Sequence, residues 1–319
     1  MTLGQLTPTS VEQAAAASAA AEAVPADPRR QRIPPGPAFG IVFLAVLVLL
    51  AVLADVLPFV REATDKVVVD DTTMTRYRLG PGTTALFGTD ALGTDVFAKC
   101  LYGARTTLLV GVGATAIGLA FGGALGLLAG YLRGLVDRAV GILVDGMLAM
   151  PGIVLAIVMI VKLDVIKEDF AFLGWLTRRW QITITLGILA TAPLARIVRA
   201  QTMSLREREF VLAARSIGAT TRRVLGREIL PNLAPTMITV SCTGLGILIA
   251  AEAALAFLGL SVEVPTPTWG KLIDQNRNNL DVGWWATIFP CVLLFLTVLS
   301  FNLVGDWLAK RFDIKRAAI

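Results

Sequence analysis

The 319-residue chain has no histidine, only three cysteines, and charges on just 17% of its residues. Without histidine, the usual neutral-pH base and the commonest metal ligand are both missing. Cys100, Cys242 and Cys291 lie far apart and form no CxxC pair. They read as small apolar fillers rather than a metal or redox site. No G-x-x-x-x-G-K-[ST] phosphate loop occurs, so the chain does not read as an ATP hydrolyser. No nucleophile–base constellation takes its place. No catalytic, cofactor-binding or metal-ligating residue is therefore expected. The formal charge of +5 would hint at nucleic acid in a soluble protein. Here the placement of charges between apolar runs carries more information, and no nucleic-acid partner is expected.

Apolar residues are abundant instead: 55% of the chain is hydrophobic and the mean hydropathy is +0.70. A soluble surface has no room for that many apolar side chains. Six charge-poor runs stand out, at 33–54, 106–132, 139–161, 180–195, 229–251 and 282–305. A helix needs roughly 20 residues to cross the hydrocarbon, and five of the runs meet this length. The fourth does so only if its helix continues to about Arg199; otherwise it is a re-entrant or buried segment. The third is interrupted by Asp145, whose expected role is a structural partner to Arg138 or Arg196. The first run begins too late and is too long for a cleaved signal peptide. The Ala- and Pro-rich leader before it is expected to stay flexible.

Arginines place the ends. Arg29, Arg30 and Arg32, the turn with Arg133 and Arg138, the 200–232 segment with six arginines, and the tail with Lys310, Arg311, Lys315 and Arg316 fall on one side. By the positive-inside rule that side is the cytoplasm, with both termini there. The segment 58–103 then lies outside, and its VVVDD, GPG and GTD stretches favour an ordered loop with strands or short helices. The second run carries Gly118, Gly122 and Gly126 at four-residue spacing, which permits a close helix contact within the chain or between subunits.

Between the fourth and fifth runs, Phe210, Ala213, Ala214 and Ile217 fall on one narrow helical face. Gly218 can end that helix in a left-handed cap, Thr220 or Thr221 can start another, and Pro231 is expected to close it. Such a pair of short helices suits docking of a soluble partner, with Arg215 among the flanking charges that orient it. The plainer alternative is an arginine-rich interfacial loop. Near the outer end of the fifth run, Glu252 could line an entrance. In the last outer loop Pro265, Pro267 and Trp269 suit either a gate or simple anchoring at the interface.

The segment EFVLAARSIGATTRRVLGREILPN resembles the EAA loop of permease subunits in ATP-binding-cassette importers, with Ala213, Ala214, Gly218, Leu230 and Pro231 in that spacing. Leu212 stands where the motif usually has glutamate. Four further blocks are similar to the second permease of dipeptide, oligopeptide and nickel importers: FGTDALGTDVFAKCLYGARTTLLVG (87–111), AMPGIVLAIVMI (149–160), FLGLSVEVPTPTWGKLI (257–273) and WWATIFPCVLLFLTVLSFNLVGDWLAKRFD (284–313). Thr94 replaces the usual arginine, and Trp307 a usually small residue.

The resemblance covers about 35–313. It implies an all-α integral membrane protein with six transmembrane helices in the type I importer arrangement and a cytoplasmic coupling helix. The chain would divide into a leader (1–34), a first helix with an outer segment (35–103), a core permease domain with its coupling loop (104–313, loop 200–232) and a tail (314–319). The implied partners are a second homologous permease, two ATPase subunits that bind ATP and Mg, an extracytoplasmic substrate-binding protein, and the plasma-membrane bilayer. The implied cargo is a di- or oligopeptide, with nickel chelates or other small solutes as alternatives. Two rivals stay open. A gradient-driven secondary transporter would show inverted repeats, which are not evident. A non-transporting scaffold would leave the outer-loop and final-helix matches unexplained.

Overall fold

A computed structural model of the chain describes residues 33–57, 60–67, 77–263 and 265–317. The leader, part of the first outer segment, Val264 and the last two residues lie outside it. Within the described residues the protein is all-α. The main helices are α1 (Pro35–Leu53), α2 (Val96–Leu132), α3 (Gly134–Ala149), α4 (Gly152–Asp169), α5 (Arg178–Arg206), α6 (Glu209–Ser216), α7 (Thr221–Phe257), α8 (Trp269–Asn276) and α9 (Trp285–Ala317). Five of them are long and apolar enough to cross a membrane, and α3 with α4 makes a sixth span if the bent pair counts as one.

Three spans differ from the charge-free runs. The third is not one straight helix over 139–161. It breaks at Met150–Pro151, where α3 and α4 meet at 99°. Pro151 forces Met150 out of the helical region, to φ −89° and ψ 141°. The second begins ten residues before 106, at Val96, where the Asp95 carboxylate caps the amides of Phe97 and Ala98. Charge counting missed this turn because its charges are paired. Lys99 meets Asp90 at 2.6 Å, and Arg105 meets Asp55 at 2.8 Å while donating to the last carbonyls of α1. The fourth run proves to be a 29-residue continuous helix, so it is neither short nor re-entrant.

The centre of the bundle is the α2–α5 seam. Gly118, Gly122, Gly126 and Gly130 form a stripe along α2 that faces the backbone of α5. A Cβ at these positions would lie 2.7 Å from the Ala190 Cβ, 2.6 Å from the Thr191 carbonyl oxygen, 2.5 Å from the Ala195 carbonyl oxygen and 2.7 Å from the Arg199 carbonyl oxygen. No side chain fits there, so the contact is internal to the chain and depends on glycine. In lipid, where water exclusion does not drive helices together, this close packing is what holds the pair. The hydrophobic window of α5 is accordingly 67% buried, against 17% for α1. Val110 and Ala114 of α2, Ile160 of α4, Ile182 and Leu186 of α5 and Leu255 of α7 complete the core around the seam. The outer helix α1 packs against α9, with Gly40 close to the Ser300 carbonyl.

In the outer segment the described residues contain no strand, only isolated bridges between Lys66 and Thr94 and between Thr89 and Asp95. Side chains order it. Oδ1 of Asp90 accepts the amides of Leu92 and Thr94, and the Trp285 indole donates to the Thr89 carbonyl.

Candidate functional site at the 207–231 connection

Arg206 ends α5 and the chain turns at Glu207 and Arg208 into α6. Glu209 in the first turn of α6 and Arg215 in its last complement the helix dipole. The helix stops as the sequence suggests. Gly218 adopts φ +84°, the Ala219 amide donates to the Ala214 carbonyl and the Gly218 amide to the Arg215 carbonyl, both at 3.0 Å. These two bonds with a left-handed glycine form a Schellman cap. Thr220 is extended and α7 starts at Thr221, although neither threonine supplies a side-chain cap.

Pro231 does not close this second helix. Residues Val224–Ile229 form a π turn, the Leu230 amide donates to the Leu225 carbonyl, and α7 runs on through Pro231 and Pro235 to Phe257. A proline inside an α-helix lacks one donor and crowds the preceding turn. A wide turn immediately before Pro231 relieves that crowding and takes the orphan carbonyls into longer bonds.

The connection shows two faces. Phe210, Ala213, Arg215, Ile217, Gly218, Leu230 and Pro231 are exposed, Ile217 by 80%, and Ala214 is half-buried. Leu212, at the position where the resembled motif has glutamate, is also exposed. On the inner face Val211, Val224 and Ile229 are fully buried and cluster with Tyr131 at the end of α2. Sequence reading missed all four. Val211 and Ala214 stand at i and i+3, a signal too short to separate from the exposed face. Val224 and Ile229 stand five apart, which an α-helical period spreads by about 140°; only i→i+5 closure brings them to one side.

Ion pairs fasten the same side of the bundle. Arg133 meets Glu207 at 2.5 Å, Arg196 meets Asp145 at 2.6 Å, and Arg199 holds Asp137 with two nitrogens. Asp145 thus pairs with Arg196, one of its two expected partners.

The outer candidates lie elsewhere, at the other end of α7. Trp269 is completely buried, its indole donating to the Cys100 carbonyl at 2.9 Å and its amide to the Thr107 hydroxyl at 3.2 Å. It is neither an interface anchor nor an exposed gate: Gly103 of α2 leaves room for the ring, which ties α8 to α2. Pro265 is exposed and Pro267 buried. Glu252 is 1% exposed and lines no open mouth within this chain. Its carboxylate has no hydrogen bond of normal geometry, with the Thr268 hydroxyl the polar group set against it. Among the described residues no cluster of metal-ligating side chains occurs.

Between α5 and α7 lies a groove of about 360 Å³ lined by Ala190, Pro193, Leu194, Val240 and Ile247 with Thr115, Thr239 and Thr243. It carries no ionisable side chain.

The described residues thus form a bundle of membrane-length helices, the class of multi-spanning all-α membrane proteins. Comparison with known proteins narrows this. Residues 122–316 match the family described as binding-protein-dependent transport system inner membrane component. A dipeptide transport system permease protein of Alkalihalophilus pseudofirmus is 34% identical over 276 residues, covering 86% of this chain and 84% of that protein. A glutathione transport system permease protein of Shigella dysenteriae is 39% identical over 236 residues, 74% of each chain. Among solved structures, the inward-facing MetNI methionine ABC transporter shares the fold, with a TM-score of 0.54 at 21% identity, covering 69% of this chain and 96% of that one. The chain belongs to the binding-protein-dependent permease family: it is a permease subunit of an ATP-binding-cassette importer, of the second-permease type. That family is the non-catalytic membrane component, so ATP hydrolysis is not this chain's work.

Proposed function

We propose that the chain forms half of the translocation path of an importer for di- or oligopeptides and that its 207–231 connection docks a cytoplasmic ATPase subunit. Two ATPases, a second homologous permease and an extracytoplasmic binding protein complete the machine. The observation that carries this reading is the two-faced connection. A short capped helix and the π turn after it keep Val211, Val224 and Ile229 inside and turn Phe210, Leu212 and Ile217 outward, with nothing among the described residues to cover them. Large apolar side chains on a polar surface of the protein mark a contact. Arg208, Arg215, Arg222 and Arg223 around them can orient an acidic partner.

The uncharged groove between α5 and α7 suits a path wall whose second half comes from the partner permease. The relatives, permease proteins of a dipeptide and of a glutathione transport system, support a peptide cargo. Closure of the ATPases on ATP would push the connection and shift the permease pair between outward and inward access.

Co-purification with the neighbouring subunits tests the docking. The native chain is expected to bring down two ATPases and a second permease. Ala214→Arg with Gly218→Arg should lose the ATPases and keep the permease partner. Retention of the ATPases by the double variant would remove the connection as their site.

A further inference from the structure

We propose that Tyr131 is the positioning residue through which movement of the 207–231 connection enters the membrane bundle, an inference that rests on that connection being the ATPase dock. The backbone of the connection does not pack extensively along α2. The Tyr131 side chain bridges the gap, 8% exposed and clustered with Val211, Val224 and Ile229, each of them fully buried. One of these comes from α6 and two from the π turn, so both pieces of the connection meet the tyrosine in one cluster, with Leu127 of α2 and Leu205 of α5 packed against it.

Two polar contacts lock the same point. Arg206 donates to the Tyr131 carbonyl at 2.7 Å, and its guanidinium lies 5.5 Å from the ring centroid. Two residues on, Arg133 pairs with Glu207. The π turn belongs to this device: i→i+5 closure aims Val224 and Ile229 together at the cluster, where an α turn would send one of them away.

Beyond the tyrosine the route is rigid. Gly130, its neighbour, lies against the Arg199 carbonyl and Thr202, at the end of the glycine seam that joins α2 to α5. Beside the direct continuation of the π turn into α7, a push on the exposed face of α6 thus reaches α2 and α5 through this contact and moves them as one body. Without the ring, the space left beneath Val211 lets the connection shift locally, and the push is absorbed there.

The test uses the assembled transporter in proteoliposomes with its binding protein, a dipeptide as cargo, and a photo-crosslinking residue at position 217 to report the docked ATPase. Tyr131→Ala should keep the crosslink and the ATP hydrolysis but lower transport per ATP by about 2- to 30-fold, the range a packed coupling contact carries. Tyr131→Phe, which keeps the ring, should restore the native ratio. Tyr131→Leu is measured beside them, so that poor assembly of the alanine variant leaves a ratio to be read. An unchanged ratio in the leucine and alanine variants with the crosslink intact would overturn the role of Tyr131 and leave the docking site standing. Absence of the crosslink in the native chain would overturn the docking reading itself.

Discussion

At position 269 a tryptophan that could have anchored at the interface is enclosed, with its indole N–H and its backbone amide both bonded. Truncation to alanine should lower stability by about 3–5 kcal/mol, as for other buried aromatics. Trp269→Phe keeps most of the volume and loses only the indole's bond to a carbonyl already held within its helix, at about 0.5–1.5 kcal/mol. Thermal denaturation of the detergent-purified protein should rank them in that order. The Asp90–Lys99 pair carries a pH prediction. Burial pushes the Asp90 carboxyl up, but the Lys99 charge with hydrogen bonds from Lys99 and Thr94 outweighs it and leaves the group below its ordinary value. A carboxylate whose folded pKa is depressed contributes stability above its unfolded pKa, near 4, and loses it as pH falls through the folded value. Hydrogen exchange at the amides of Leu92 and Thr94, corrected for intrinsic rate, should stay slow from pH 7 to 5. It should speed up only below about pH 4. Exposure of these amides already at pH 5 would show that the pair does not hold the loop.

Among the elements, the α2–α5 seam and the broken third span illustrate opposite uses of glycine and proline. At Gly122, Gly126 and Gly130 a backbone carbonyl of α5 fills the place of the side chain, so there is no flexible neighbour to give way. Gly122→Leu or Gly126→Leu should therefore destabilise by about 1–3 kcal/mol or more and separate the helices. Gly146 on α3 meets nothing within 4 Å, and Gly146→Ala should be neutral or gain up to about 1 kcal/mol. Comparable losses at all three positions would mean that the seam is not special. The four-residue spacing of the glycines was readable in the chain, but which helix faced them was not, since Gly187, Thr191 and Ala195 of α5 repeat that spacing without naming their partner. Met150–Pro151 was readable as a breaker, yet an apolar run continuing on both sides concealed a 99° bend. The π turn left no periodic trace at all, because it serves one tertiary cluster.

For the whole molecule, the described contacts put Arg133, Glu207 and the π turn at one end of the bundle, and Asp55, Thr89, Trp269 and Trp285 at the other. We infer from the arginines that the first end is cytoplasmic. In a chain with its three cysteines replaced by alanine, Leu135→Cys should react with a membrane-impermeant thiol reagent only from the cytoplasmic side. Phe172→Cys should react only from outside; both positions are well exposed. Labelling of both from the same side would break the six-span order.

Composition by itself determined that this chain crosses a membrane many times, because apolar length is a local property. The Schellman cap at Gly218 was legible for the same reason: one residue's backbone freedom ends one helix. What only the tertiary structure decided are the partners across space. These are the clustering of Tyr131 with Val224 and Ile229, Arg196 rather than Arg138 for Asp145, and the enclosure of Trp269 and Glu252, for which a gate, an anchor or an entrance had stood open. Each depends on which faces of separate helices meet, and in lipid that is set by close packing between whole surfaces, which no single run of residues records.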